Sequence, residues 1–223
     1  MSTNLLESLG ISLEDTFAPR VVTATVTSAT ADVAVLRTLG IEGSPSLEAV
    51  LPATEWYPTR RWELGATYQL LQIDKGPRPL LSAVRNELIE ALFAGVSPEV
   101  RSGAVRIMGV ARNPGVRTKV AVAACENGVD PIAACVGRRA SRVRLISSIL
   151  LGERLDVVAW HPDQADFLRS ALAPAAVSRI EIDGEEARAY APAHQMSAAV
   201  GGAGQNSQLA GQLVGLRVTV VPD

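Results

Sequence analysis

The sequence predicts an α+β chain: a small β-barrel followed by two copies of one mixed helix-and-strand module. Three observations carry that reading. Between residues 18 and 84, apolar side chains alternate with period two in short runs separated by turn residues. From residue 85 the helical period appears and then trades places with the strand period. Finally, the order helix, strand, strand, helix, glycine turn, helix, strand occurs twice, over residues 85–160 and 161–223. A duplicated order is stronger evidence than any one element in it.

The elements follow in chain order. Residues 1–17 place Leu5, Leu6 and Leu9 at amphipathic spacing behind Ser2 or Thr3, with a break at Gly10, too little for a domain. In 20–35, Val22, Ala24 and Val26 fall on one face and Thr23, Thr25 and Thr27 on the other, the signature of strands. Gly40, Gly43 and Pro45 punctuate the chain before strands at 47–51, 66–74 and 79–83. Four or five short strands in roughly 65 residues predict a closed barrel of the OB type. Leu88, Ile89, Leu92 and Phe93 then mark a helix over 85–93, stopped by Gly95 and Pro98. The first module continues with strands at 104–111 and 117–124, helices at 132–136 and 141–151 on either side of Gly137, and a strand at 153–160. The second has a helix at 163–172, strands at 178–183 and 186–191, helices at 195–200 and 205–213, and a strand at 216–221.

Composition narrows the function classes. The 223 residues are 48% hydrophobic and 20% charged, too apolar and too balanced in charge for a disordered chain. Cys125 and Cys135 cannot build a disulfide framework or a cysteine-rich zinc site, and they suit a reducing compartment. The first residues carry no basic leader, and the longest uncharged stretch, 189–216, is interrupted by Pro192, His194 and Asn206. The expectation is a soluble cytoplasmic protein with no membrane partner. Charge is segregated. Residues 1–100 hold seven basic and twelve acidic side chains, residues 101–144 nine and two, residues 145–223 five and nine. The central block is therefore +7 in a chain of net charge −2, which invites a polyanion. Eight of its nine cations are arginine, suited to phosphate and to stacking on bases.

The order of each module is that of the type II KH domain, in which a Gly-x-x-Gly turn between two helices clamps the backbone of a single-stranded nucleic acid. The second copy has the turn as Gly201-Gly202-Ala203-Gly204, followed by Gln205-Asn206. Local sequence adds to this. Ala111-Arg112-Asn113-Pro114-Gly115, Asp130-Pro131-Ile132-Ala133-Ala134-Cys135-Val136-Gly137, Gly152-Glu153-Arg154-Leu155-Asp156, and Gly204-Gln205-Asn206-Ser207-Gln208-Leu209-Ala210 closely resemble the bacterial NusA family. That family places an RNA-binding barrel directly before two tandem KH domains. The resemblance spans about residues 20–223, with domains expected at 18–84, 85–160 and 161–223 after the short segment 1–17. It implies single-stranded RNA as ligand, held on a barrel–KH–KH rod in transcription elongation, termination or antitermination. RNA polymerase or other transcription factors are the implied partners. Three departures accompany it. Only about seventeen residues precede the barrel, where the family carries a polymerase-gripping domain. The first turn reads Gly137-Arg138-Arg139-Ala140, with alanine at the last glycine, which predicts a hindered approach to phosphate. The second turn has Gly202-Ala203 in the variable pair, without charge.

The candidate RNA-binding residues follow. Gly137, Arg138, Arg139, Arg142 and Arg144 surround the first turn, and Gly201, Gly202, Ala203, Gly204, Gln205 and Asn206 form the second. Arg112, Arg117 and Lys119 would extend the basic track along a strand pair. In the barrel, Trp56, Arg60, Arg61 and Trp62 interleave aromatic and basic side chains, fit either for stacking on bases or for packing into the barrel. No catalytic, metal or cofactor site is expected. His161 and His194 lack ligand spacing, Glu185-Glu186 reads as a solvated pair, and no glycine turn ends in the Lys-Ser/Thr of a nucleotide loop. The rival reading is a degenerate paralogue whose KH surfaces bind protein partners.

Overall fold

A computed structural model describes residues 20–39 and 45–223. The expected segment 1–17 and the punctuation at Gly40 and Gly43 lie outside the described residues. Alternation in the first strands is borne out: β1 (Arg20–Ala29) turns Val22, Ala24 and Val26 inward, and β2 (Val33–Thr38) turns Ala34 and Leu36 inward. With β3 (Glu48–Pro52), β4 (Thr67–Gln72) and the two-residue β5 (Leu81–Ser82) they form one antiparallel sheet in the order β3-β2-β1-β4-β5. A parallel bridge between Val50 and Leu80 brings β3 to the far end of that order, so the barrel is nearly closed. A bulge between Val26 and Ser28 bends β1 where the sheet curls.

Helix α1 (Asn86–Val96) buries Leu88, Ile89, Leu92 and Phe93, as its spacing requires. The chain divides into two compact units inside this helix, between Ala91 and Leu92. Pro98 does not simply end the helical stretch. It opens a further turn, α2 (Pro98–Arg101), because proline's missing N–H is harmless at a helix start and Ser97 Oγ accepts from Val100 N–H. The first module then builds β6 (Val105–Asn113), β7 (Arg117–Ala124), α3 (Pro131–Val136), α4 (Ser141–Ile149) and β8 (Arg154–Ala159). Its sheet has β7 in the centre, antiparallel to β6 and parallel to β8. The second module repeats this with α5 (Gln164–Ala171), β9 (Arg179–Asp183), β10 (Glu186–Ala191), α6 (Met196–Val200), α7 (Gln205–Val214) and β11 (Arg217–Pro222), the central strand now β10. The repeat read from the sequence is present in both copies.

The two modules share the second unit and pack on each other. Helix α7 lies against β6 and β7, and Ala121, Val158 and Phe167 form a buried cluster with Trp160, Ala173, Leu213 and Val214 around them. Strand β7 is consequently covered on both faces, and every residue from Arg117 to Val122 is buried. Lys119 Nζ, wholly buried in this junction, donates to Ala173 C=O at 3.1 Å and to Asp156 Oδ2 at 3.5 Å.

Burial pulls the Lys119 ammonium down to about 8, with Asp156 opposing, whereas burial pushes the Cys135 thiol up to about 11. A folded-state lysine value below the unfolded 10.5 means the unfolded chain binds more protons between pH 8 and 10.5, so stability rises with pH there. Cys135 acts the other way, but only above the unfolded thiol value of 9.0. Amide protection of residues 92–223 should therefore increase by about 1 kcal/mol from pH 8 to 9, and Lys119→Met should flatten that rise.

Candidate nucleic-acid interface

The site begins with backbone. Gly137 sits at φ 74°, ψ 166° and Gly201 at φ 75°, ψ 166°; two residues on, Arg139 and Ala203 are left-handed at φ 53° and 51°. The fourth positions match as well, Ala140 at φ 59° and Gly204 at φ 75°. In both turns the fourth N–H donates back to the first C=O, at 3.0 Å from Ala140 and 3.1 Å from Gly204. The alanine leaves the backbone of the first turn unchanged: Ala140 adopts the left-handed conformation, at about 1–2 kcal/mol.

The leading glycines are required by space. A Cβ on Gly137 would lie 2.7 Å from Arg142 Cγ and 3.0 Å from its amide nitrogen, and one on Gly201 would lie 2.7 Å from both Cβ and N of Asn206. Each turn is therefore pressed against the first residues of the helix that follows it. The residue five positions after each glycine ties that helix back to the preceding elements. Arg142 donates to Ala134 C=O and, at 2.9 Å, to Glu99 Oε2; Asn206 Nδ2 donates to Leu172 C=O at 2.9 Å and Ala199 C=O at 3.1 Å. Glu99's carboxyl is held below the usual carboxylate range by hydrogen bonds from its own backbone N–H and from Ser97, with Arg142 adding to the effect. Helices α2, α3 and α5 have side-chain caps from Ser97, Asp130 and Asp163, whereas α4 and α7 have none. The N–H groups of Ser141 and Gln205 turn back onto the C=O of Arg138 and Gly202, so each helix start is closed by backbone alone.

Side chains divide the predicted set. Arg138, Arg139 and Arg144 are exposed; Arg144 donates to Arg139 C=O, which braces the loop. Together with Gly137 and Arg142, Arg138 borders an open hollow of about 430 Å³ that also takes in Asp130 and Glu99. Gly202 and Ala203 are exposed and Gln205 half-buried at the second turn. Asn206 is corrected: it is wholly buried behind the turn, an internal strut and not a contact residue. Arg112, Arg117 and Lys119 are corrected too. Arg112 is enclosed with Glu153, whose carboxylate also accepts from Gly115 N–H and Thr118 Oγ1. Arg117 is paired with Asp156 at 2.5 Å. All three lie on a strand buried from both sides or pointing into the module core, so they extend no surface track. Arg142 is half-buried against Glu99.

In the barrel, Trp56 packs inward. It is 4% exposed, its Nε1–H donates to Arg60 C=O, and its ring lies 4.9–5.0 Å from those of Tyr57, Trp62 and Tyr68. Of the two roles its sequence allowed, packing holds. Trp62 is half-buried, with Nε1–H donating to Thr30 C=O; Arg60 and Arg61 are exposed. Sequence reasoning passed over Ile132 and Leu145, exposed apolar side chains on α3 and α4 that lead into and out of the first turn. Leu145 falls outside the Val143, Ile146, Ile149, Leu150 stripe, and that misfit was the available signal.

Comparison with known proteins places this geometry. Profiles of the NusA-like first KH domain and the NusA-like second KH domain match residues 84–160 and 164–223. The chain belongs to the NusA family. The transcription termination/antitermination protein NusA of Thermus thermophilus is 40% identical over 175 residues, covering 75% of this chain and 45% of that protein. The proteins of the same name from Halalkalibacterium halodurans and Mycobacterium tuberculosis are 34% identical over 181 residues and 36% over 193. They are covered to 47% and 55%, so the chain spans about half the length of the curated NusA relatives it matches. No helix among the described residues is long and apolar enough to cross a membrane, and none of their His, Cys, Asp and Glu side chains cluster in threes that could hold a metal ion.

Because Gly137 and Gly201 meet backbone atoms, Gly137→Ala and Gly201→Ala should each destabilise residues 92–223 by about 1–3 kcal/mol. Ala140→Gly should stabilise them by up to about 1 kcal/mol. Hydrogen exchange of the three variants measures both directions.

Proposed function

We propose that this NusA-family chain holds single-stranded RNA by its sugar-phosphate backbone at the two KH turns, in transcription termination or antitermination. The observation that supports this best is the pair of left-handed turns with matching backbone angles, each opening onto a helix with no side-chain cap. A phosphate at either helix start meets the favourable end of the helix dipole. Arg138 and Arg139 add charge at the first turn, where both are exposed and form no ion pair with a described residue. The second turn works through backbone alone, its three glycines leaving room for close approach. Exposed Arg60 and Arg61 on the barrel offer further phosphate contacts. The names of the curated relatives support the process. RNA polymerase and other transcription factors are the partners such a process needs, and the cytoplasm is the compartment that contains it.

The test is binding of a single-stranded RNA as a function of salt. Each neutralised phosphate steepens the fall of log affinity with log salt by about 0.7. Arg138→Glu with Arg139→Glu should weaken binding at least tenfold and make that slope shallower by about 1.4. A wild-type chain that binds no RNA at low salt overturns the reading in favour of KH surfaces that bind protein.

A further inference from the structure

The buried charges at the junction of the two KH modules have no part in the reading above. Lys119 is 0% exposed, and the covering elements are α5, the segment after it, and α7. Its ammonium reaches across from β7 to Ala173 C=O, in the second module. On its own side it meets Asp156 Oδ2, which also takes Arg117 at 2.5 Å, while Asp156 Oδ1 takes Arg154 at 3.2 Å. The contact is directional, whereas the surrounding cluster of Ala121, Val158, Phe167, Trp160 and Leu213 is apolar and tolerates sliding. One further feature fixes the same seam. Gly109, on β6, faces Leu213 of α7 so closely that a Cβ would sit 3.3 Å from its Cδ1. A buried, hydrogen-bonded charge is weak evidence for stability, and its best-attested use is to set register.

We propose that Lys119 is a positioning residue: through its bond to Ala173 it holds the two KH turns in one fixed mutual arrangement, so that a single RNA strand engages both at once. This deepens the proposed function and rests on it. The consequence is one of effective concentration. A strand seated at one turn meets the other at the concentration set by their fixed geometry, and the gain disappears when the geometry is loose.

The experiment compares two RNAs on the full chain, an oligonucleotide of about four residues that fills one turn and a strand long enough to span both. Lys119→Met, with Asp156 still paired to Arg117 and Arg154, should weaken the long strand about tenfold and leave the short one unchanged. Gly109→Leu, which wedges the seam against Leu213 without touching a charge, should do the same. Spin labels at positions 139 and 203, in a Cys125→Ser background, should give one narrow distance distribution in the wild type and a broad one in both variants. Equal losses for the two RNAs, or an unchanged long-strand affinity, would overturn the role assigned to Lys119. If the wild type binds neither RNA while the distance distributions behave as stated, the RNA reading fails and the junction role stands.

Discussion

Everything at the two turns depends on one close approach: the leading glycine lies against the start of the next helix. At 2.7 Å from Arg142 Cγ and from Asn206 Cβ, there is no space for a side chain on Gly137 or Gly201. That contact, with left-handed residues behind it, decides where the helix begins and which way its first N–H groups face. The residue five places on then has a fixed task, to reach back to carbonyls of the preceding segments. Arginine does this in one module and asparagine in the other. The geometry is shared although the chemistry differs, because what the fold requires is a donor at that point and not a particular residue. Asparagine meets the requirement incompletely: Asn206 Oδ1 is buried without a hydrogen-bond partner. Such an atom costs about 1–3 kcal/mol, which the two bonds from Nδ2 must offset.

Charge has to be read in three dimensions. The central block of the sequence holds seven more cations than anions, yet Arg112, Arg117, Lys119 and Arg142 are spoken for by Glu153, Asp156 and Glu99. All three acids lie outside the block in sequence and inside it in space. Arg101 is likewise engaged, donating to Ala94 and Gly95 carbonyls at the end of α1. What the surface keeps is Arg138, Arg139 and Arg144 at the first turn, with Arg106 exposed on β6. The potential is smaller in total than composition suggests but better placed.

The same distinction explains what the sequence made legible. Periods of two and 3.6 residues, glycine breaks and a repeated order are local properties, and the barrel strands and both modules could be read from them. Val22, Ala24 and Val26 pointed inward as read, and Gly137 and Gly201 broke the chain where expected. The misread residues share a cause. Alternation assumes that one face of a strand meets water, and β7 has no such face, because the second module covers what the first leaves open. Lys119 on a strand buried from both sides is indistinguishable in sequence from Lys119 on a solvated one. Trp56 was left open for a related reason: an aromatic and basic cluster serves stacking or packing equally well, and only the ring contacts with Tyr57, Trp62 and Tyr68 decide.

The two turns also differ in the residues that hold their left-handed positions. In the first, Arg139 and Ala140 are both held left-handed, which L-residues avoid by about 1–2 kcal/mol each. Neighbouring contacts enforce the shape, chiefly the Arg144 bond to Arg139 C=O and the Arg142 bonds to Ala134 and Glu99. Once formed, that turn has few alternatives and little order left to lose on binding. The second turn reaches the same shape with three glycines, and a side chain on Gly202 would meet open space. Glycine removes the strain at the fourth position, though not at left-handed Ala203, and leaves more backbone freedom to lose on ordering. Charge is thus concentrated in one turn and glycine in the other. If RNA binds as proposed, a strand caught electrostatically at Arg138 and Arg139 would next meet a neutral, glycine-rich loop on the other side of the junction between the modules.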